Sequence, residues 1–132
     1  MDKKRVFVSF DVDNDRSLKV FINSQAKLPD SPLEIVDTSL KETAPMMSWR
    51  EKTRATIKRS ELVLVLVGRN THKASGVLNE VQMAKDEAKP IIQMVGYKDG
   101  TFPAVPNAGR LYAWSWENLK KLLEPRMPAD PA

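Results

Sequence analysis

The chain has 132 residues, close to the commonest size of one domain and long enough to bury a hydrophobic core. Zero cysteines exclude disulfides, thiol catalysis and thiolate metal sites, and a single histidine leaves little material for a zinc site. The formal charge of +4 comes from scattered basic residues, without the aromatic and basic constellations of RNA-binding sheets, so we expect no specific nucleic-acid partner.

The hydrophobic pattern places the chain outside the membrane. No apolar run approaches the roughly 20 residues of a membrane-spanning helix. The N-terminal apolar stretch is short and alternates with polar residues, so it predicts a strand and not a cleaved signal peptide. We therefore expect a cytoplasmic protein with one domain over residues 1–124 and a disordered tail over 125–132.

Hydrophobic periodicity switches between strand-like and helix-like along the first half of the chain. "RVFVSF" predicts the first strand, and "NDRSLKVFINSQAKL" predicts the first helix, with Asn14 or Asp13 as its N-cap. "LEIVD" predicts the second strand. The second helix is expected over about Trp49–Lys58, because Ser48 and Glu51 have the spacing of a capping box.

The second half continues the alternation. "ELVLVLVG" predicts a central strand buried on both faces, and "PIIQMVGY" and "RLYAW" predict two further strands. The apolar stripe of the third helix is expected to consist of Val77, Leu78, Val81, Ala84 and Ala88, and Pro90 to help end the helix. "SWENLKKLLE" predicts a last helix capped by Ser115. The series predicts a doubly wound, mainly parallel α/β sheet of order 2-1-3-4-5, with helices on both faces.

Ligands of such sheets bind beyond the carboxyl ends of the strands, between strands one and three. The loops "FDVDND", "DTSLKETAPMM" and "GRNTHKAS" should meet there. Glu80 lies about one turn inside the third helix, and helical side chains lean toward the helix N-terminus, so its carboxylate can reach this mouth. No GxGxxG or GxxxxGK[ST] motif occurs, and strand three ends in Gly68 and Arg69 without the phosphoacceptor aspartate of a receiver domain.

The residues alone leave simpler interpretations open. A glutamate in the first two turns of an amphipathic helix is usually solvated and mildly favoured by the helix dipole. Asp11, Asp13 and Asp15 are also compatible with a turn-and-cap cluster before the first helix.

Four segments together resemble a known family: "KRVFVSF", "VDTSLKE", "VLVLVGRNT" and "NEVQMAKDEAKPIIQMV", over about residues 4 to 98. Their order and spacing are similar to those of the TIR-like family that includes the NAD-handling TIR subunit of the Thoeris anti-phage system. The resemblance implies a flavodoxin-like fold. It also implies cleavage of the nicotinamide glycosidic bond of NAD, giving ADP-ribose or a cyclic isomer that serves as a second messenger.

The resemblance places the family's catalytic glutamate on Glu80. The ligand-binding residues that it implies are Ser9, Phe10 and Asp11 on the ribose and nicotinamide side, Asp37, Ser39 and Leu40 in a loop that covers the pocket, and Arg69, Asn70 and Thr71 near phosphates or ribose hydroxyls. One carboxylate can serve this chemistry, because departure of nicotinamide leaves an oxocarbenium-like ribose. NAD is then the substrate, and no metal or other cofactor is needed.

The chain departs from the family pattern at Gly76, where relatives often carry an aromatic residue. Glycine lowers helix propensity by up to about 1 kcal/mol relative to alanine, so a later helix start would re-aim Glu80. The alternative function is a non-catalytic adaptor or nucleotide-sensing module that uses the loop from Asp37 to Met47, with the apolar residues Met46, Met47 and Trp49. Self-association is expected under both hypotheses, and a nucleotide-activated effector protein is a further partner that the resemblance implies.

Overall fold

Five short strands form one parallel sheet in the order β2-β1-β3-β4-β5 in the computed structural model, which describes residues 4–29, 31–36, 46–97 and 102–123. The strands are β1 (Lys4–Ser9), β2 (Leu33–Ile35), β3 (Leu62–Val67), β4 (Ile91–Val95) and β5 (Leu111–Tyr112). The helices are α1 (Arg16–Ala26), α2 (Met46–Arg59), α3 (Ser75–Asp86) and α4 (Trp116–Leu123), and a 3₁₀ turn spans Thr71–Lys73. The predicted doubly wound, flavodoxin-like architecture is confirmed.

The central strand is β3, and all six of its residues are buried. It pairs with β1 from Val6↔Leu62 to Ser9↔Val65, and with β4 on its other side. A parallel strand covered on both faces needs apolar side chains pointing both ways, which explains its unbroken run of leucine and valine. The edge strands are short, since β2 pairs with β1 over three residues and β5 pairs with β4 over two.

Two hydrophobic layers sandwich the sheet. The layer that contains Val8 and Leu64 packs against α1 and α4. The layer that contains Phe7 and Val65 packs against α2 and α3. Because side chains alternate along a strand, consecutive residues of β1 and β3 supply both layers.

Two helices start differently from the sequence prediction. The second helix begins at Met46, so Ser48 lies within its first turn and the predicted cap at Ser48 is wrong. Pro45 directly precedes Met46, and proline favours helix starts, which is a signal that competes with the capping-box spacing. Asp15 occupies the N-cap position of α1, in place of the predicted Asn14 or Asp13, but its side chain makes no capping hydrogen bond.

The third helix begins at Ser75 and includes Gly76 in its first turn, so the later start considered above does not occur. Its buried apolar face lacks two predicted members. Leu78 is 37% exposed, and Ala88 lies beyond the helix with a left-handed φ of 57°. This turn lets the Lys89 N–H donate a 2.8 Å hydrogen bond to the Ala84 carbonyl, one of the carbonyls at the C-terminal end of the helix that have no partner within it.

The last helix starts as predicted. The hydroxyl of Ser115 accepts a 2.9 Å hydrogen bond from the backbone N–H of Asn118, which is the expected N-cap geometry. None of the helices within the described ranges combines the length and apolar character needed to cross a bilayer.

Candidate active site

A cleft of about 650 Å³ opens beyond the carboxyl ends of β1 and β3. One wall is the loop that follows β1, and the other is the 3₁₀ turn with the first two turns of α3. The residues that line it are Phe10, Asp11, Val12, Asp13, Asn14, Asn70, Lys73, Ala74, Ser75, Gly76, Val77 and Glu80. We name this space the main cleft. It occupies the position expected for a ligand in a sheet of this order.

Glu80 lines the main cleft although its side chain is only 2% exposed. The hydroxyl of Ser9, at the end of β1, donates a 2.6 Å hydrogen bond to Oε1 of Glu80. Ser9 is itself buried, at 1% exposure, so the pair is shielded from bulk water. The interpretation of Glu80 as a solvated helix residue is therefore wrong.

Asp11 both lines the main cleft and shapes its wall. Its two carboxylate oxygens accept hydrogen bonds from the Asp13 backbone N–H at 3.1 Å and from Nδ2 of Asn14 at 2.7 Å. The Asp11 carbonyl accepts a third bond, at 2.8 Å, from the backbone N–H of Asp15. The turn-and-cap interpretation of these aspartates is thus correct for Asp11, and the same turn presents Phe10 and Asp11 to the cleft.

A buried hydrogen-bond network, which we name the Asp15 network, joins three loops behind the main cleft. The Asp15 carboxylate is 3% exposed and accepts hydrogen bonds from the hydroxyls of Tyr97, at 2.5 Å, and Thr71, at 3.4 Å. The Thr71 hydroxyl also accepts the Gly68 N–H at 2.7 Å. Burial, followed by the hydrogen bond to Asp15, raises the pKa of the Tyr97 hydroxyl to about 12. Because Asp15 serves these partners, its side chain does not cap α1.

Thr71 is consequently a structural residue in this arrangement. It is fully buried and does not line the main cleft, so the structure does not bring it to the ligand space with Asn70. Gly68 is required by the same network. A Cβ at this position would lie 2.5 Å from Oδ2 of Asp15, closer than real Cβ atoms approach other atoms.

The remaining predicted residues divide into two groups. Asn70 lines the main cleft, whereas Arg69 lines a smaller adjoining cleft of about 380 Å³, to which Asn70 also contributes. Asp37, Ser39 and Leu40 lie outside the described residues, as do the side chains of Met46, Met47 and Trp49.

Sequence reasoning missed Lys73 and Tyr97. Lys73 sits in a 3₁₀ turn whose position depends on Thr71, and no local motif marks it as a cleft residue. Tyr97 follows β4 and reaches Asp15 across 82 residues of sequence, a contact that only the sheet order could have indicated.

The main cleft is acidic. Its lining includes the carboxylates of Asp11, Asp13 and Glu80 against the single ammonium group of Lys73. Such a surface attracts cationic groups and repels phosphates. Over the described ranges, no group of three or more acidic or histidine side chains is arranged to hold a metal ion. The chemistry available here is that of a buried carboxylate beside a hydroxyl.

Comparison with known families adds the context for this geometry. The model of the TIR-like domain of Thoeris protein ThsB matches residues 7–99, which is more than half of the chain. A comparison with curated proteins finds no match. The matched span contains both members of the Ser9–Glu80 pair and all three loops joined by the Asp15 network. The chain therefore belongs to the Thoeris ThsB TIR-like domain family.

Proposed function

We propose that this protein cleaves the bond between nicotinamide and ribose in NAD, with Glu80 as the catalytic carboxylate, and so acts in TIR-like antiviral defence. The observation that carries the proposal is the placement of Glu80. Its carboxylate is almost completely buried, yet it lines a cleft large enough for a nucleotide fragment and is fixed by Ser9. Membership of the Thoeris TIR-like family makes NAD the substrate that we propose, and the burial of Glu80 beside the cleft supports it as the acting group.

The proposed reaction needs one charged group beside the ribose. The bond between the anomeric carbon and the pyridine nitrogen breaks, and its electron pair leaves with nicotinamide. The ribose then carries oxocarbenium-like positive charge, which a carboxylate stabilises at close range in a site sheltered from water. Water adds to that carbon and loses a proton to give ADP-ribose, whereas attack by a nitrogen of the adenine base gives a cyclic isomer.

The charge of the main cleft favours binding of the nicotinamide end of NAD there. The nicotinamide ring of NAD is a cationic pyridinium, and Asp11, Asp13 and Glu80 provide an acidic surround for it. The hydrogen bond from Ser9 holds the Glu80 carboxylate in one rotamer, so little reorganisation is needed as ribose becomes positive. Ser9 is thus a positioning residue in this proposal.

The test is nicotinamide release from NAD by concentrated protein, measured by chromatography with and without lysate from phage-infected cells. We expect release by the wild type and a loss of about 100-fold or more in Glu80→Gln, which keeps the side-chain shape and removes the charge. Glu117→Gln is the matched control, because Glu117 is exposed on α4, across the sheet from α3. Circular dichroism and thermal unfolding establish that each variant is folded.

Two results would refute the enzymatic proposal. One is cleavage that persists in Glu80→Gln. The other is a wild type that releases no nicotinamide under any of these conditions. The chromatographic product separates hydrolysis from cyclisation, since ADP-ribose and its cyclic isomers elute differently.

A second function, self-association as a signalling module, is favoured by an apolar surface on α1. Val20 is 66% exposed and Phe21 is 42% exposed, and the Phe21 ring meets the Trp114 ring edge-on with centroids 5.4 Å apart. Neighbouring exposed apolar side chains on one helix are a feature of interaction sites. A second copy of the chain is the partner that we propose, and assembly of copies would be compatible with either an enzymatic or an adaptor role.

Sedimentation velocity tests this surface. Val20→Asp should shift the protein toward the monomer without lowering its unfolding temperature, because Val20 packs little in the isolated chain. Leu78→Asp is the control, since Leu78 is an exposed apolar residue on the helix layer across the sheet. A wild type that stays monomeric at high concentration would count against the proposal.

A further inference from the structure

The smaller cleft differs from the main cleft in both charge and size. It has a volume of about 380 Å³ and is lined by Asn14, Asp15, Arg69, Asn70, Tyr97 and Phe102. We name it the aromatic cleft. Asn14 and Asn70 belong to the walls of both clefts, so the two spaces adjoin.

Two aromatic rings form one side of the aromatic cleft. The ring centroids of Tyr97 and Phe102 are 5.7 Å apart with planes at 50°, and both residues are half-buried. The hydroxyl of Tyr97 is held by Asp15. A wall of rings held in place in this way is suited to stack against a planar base.

The segment that follows Phe102 is anchored to the sheet by a buried glutamine. Gln93 accepts a 2.8 Å hydrogen bond from the Val105 N–H, and its Nε2 donates to the carbonyls of Val105, at 3.2 Å, and Gly109, at 2.7 Å. Gln93 is completely buried, at 0% exposure, so these bonds are protected from water. The anchor therefore holds the chain from Val105 to Gly109, which follows Phe102, against β4.

Arg69 gives the aromatic cleft one positive charge beside the single carboxylate of Asp15, whereas Lys73 faces three carboxylates in the main cleft. Its side chain is exposed, and among the described residues it forms no ion pair within 4.0 Å. The other charged residue in the lining, Asp15, has its carboxylate directed to the hydroxyls of Tyr97 and Thr71. A guanidinium beside aromatic rings is the combination that binds a phosphate attached to a planar base.

We propose that the aromatic cleft binds the base and phosphate of a nucleoside 5′-phosphate, with Arg69 on the phosphate and Tyr97 and Phe102 on the base. If the proposed NAD cleavage is correct, this is the site of the adenosine half of the substrate, and the nicotinamide half enters the main cleft. The main cleft has an excess of carboxylates and the aromatic cleft does not, and this difference would fix the direction in which the dinucleotide binds. Asn14 and Asn70, on the shared wall, lie where ribose hydroxyls would pass.

AMP binding measured by isothermal titration calorimetry tests the site independently of catalysis, because AMP carries no nicotinamide. Arg69→Gln removes the charge, and Phe102→Leu removes the ring while keeping an apolar side chain. We expect Arg69→Gln to weaken AMP binding about tenfold or more and Phe102→Leu about fivefold or more, from the usual strength of a charge-assisted hydrogen bond and of base stacking. Arg59→Gln, on the exposed surface of α2, is the matched control and should bind AMP as the wild type does.

A main-cleft variant and the NAD cleavage assay distinguish failure of the AMP site from failure of the enzymatic proposal. Lys73→Gln alters the cation of the main cleft, so AMP binding that depends on Lys73 and not on Arg69 would overturn the proposal. The same is true if the wild type does not bind AMP at millimolar concentration, or if Arg69→Gln binds it unchanged. AMP binding that requires Arg69, in a protein that never cleaves NAD, would instead refute the enzymatic function and leave the nucleotide site in place. Thermal unfolding shows that each variant used is folded.

Discussion

Replacing Gly68 with alanine tests the Asp15 network through a single methyl group. The added Cβ would lie 2.5 Å from Oδ2 and 2.8 Å from Oδ1 of Asp15, so the carboxylate would have to move by most of an ångström. It cannot do so while keeping its hydrogen bonds from Tyr97 and Thr71. Overpacking costs about 1–3 kcal/mol, and a weakened hydrogen bond to a charged group costs about 1.5–3 kcal/mol. Since the two effects overlap, we expect Gly68→Ala to lower the free energy of unfolding by about 2–4 kcal/mol.

Urea unfolding, monitored by circular dichroism, measures this loss of stability. Gly76→Ala is the control. A Cβ at Gly76 meets nothing within 4 Å, and Gly76 lies in α3, so Gly76→Ala should stabilise the protein by up to about 1 kcal/mol. Asp15→Ala should remove most of the cost of Gly68→Ala, because the clashing carboxylate is gone. Two results would refute the reasoning: Gly68→Ala lowers the free energy of unfolding equally with and without Asp15→Ala, or Gly68→Ala is as stable as the wild type.

Three other predictions follow from contacts of single side chains. Ser9→Ala should lower kcat for nicotinamide release by about tenfold with little change in KM, because in the proposed mechanism Ser9 acts by orienting Glu80. Tyr97 should show a tyrosinate absorbance step near pH 12 that Tyr97→Phe removes. Because its pKa is raised in the folded protein, the neutral Tyr97 hydroxyl stabilises the fold fully below pH 10, and this stabilisation is lost between pH 10 and about 12. The Arg5 backbone N–H, and then Lys4, lower the pKa of Glu61, so this residue stabilises the fold above pH 4.5 and the effect fades as pH falls further. Thermal unfolding of Glu61→Gln against wild type should show a difference at pH 6 that narrows below pH 4.

The sheet order was predictable because hydrophobic periodicity records which side chains are buried. The leucine and valine run of β3 indicates cover on both faces, and β3 is indeed the central strand. The boundary of α2 was less predictable, because Ser48 and Glu51 match a helix-start pattern that the structure places inside the helix. Local spacing says which residues can cap a helix, and tertiary contacts decide which do.

The candidate site was predictable only in part. Glu80 could be singled out from its place after the central strand, but its contact with Ser9 spans 71 residues of sequence. The roles of Asp15 and Thr71 were less accessible. Aspartate and threonine are both common in caps and turns. Only the folded sheet brings Thr71 and Tyr97, which follow β3 and β4, within hydrogen-bond distance of Asp15.

The short edge strands limit how copies of this protein can assemble. A sheet edge grows by backbone hydrogen bonds to a strand of another molecule, and each added residue strengthens that pairing. Here β2 and β5 offer three and two paired residues, too few for stable strand addition. Over the part of the chain that the structure describes, assembly would then rely on side chains of helices and loops, which differ between sequences. Short edge strands allow recognition to be selective for particular partners, whereas a long exposed edge strand would pair with almost any other exposed strand.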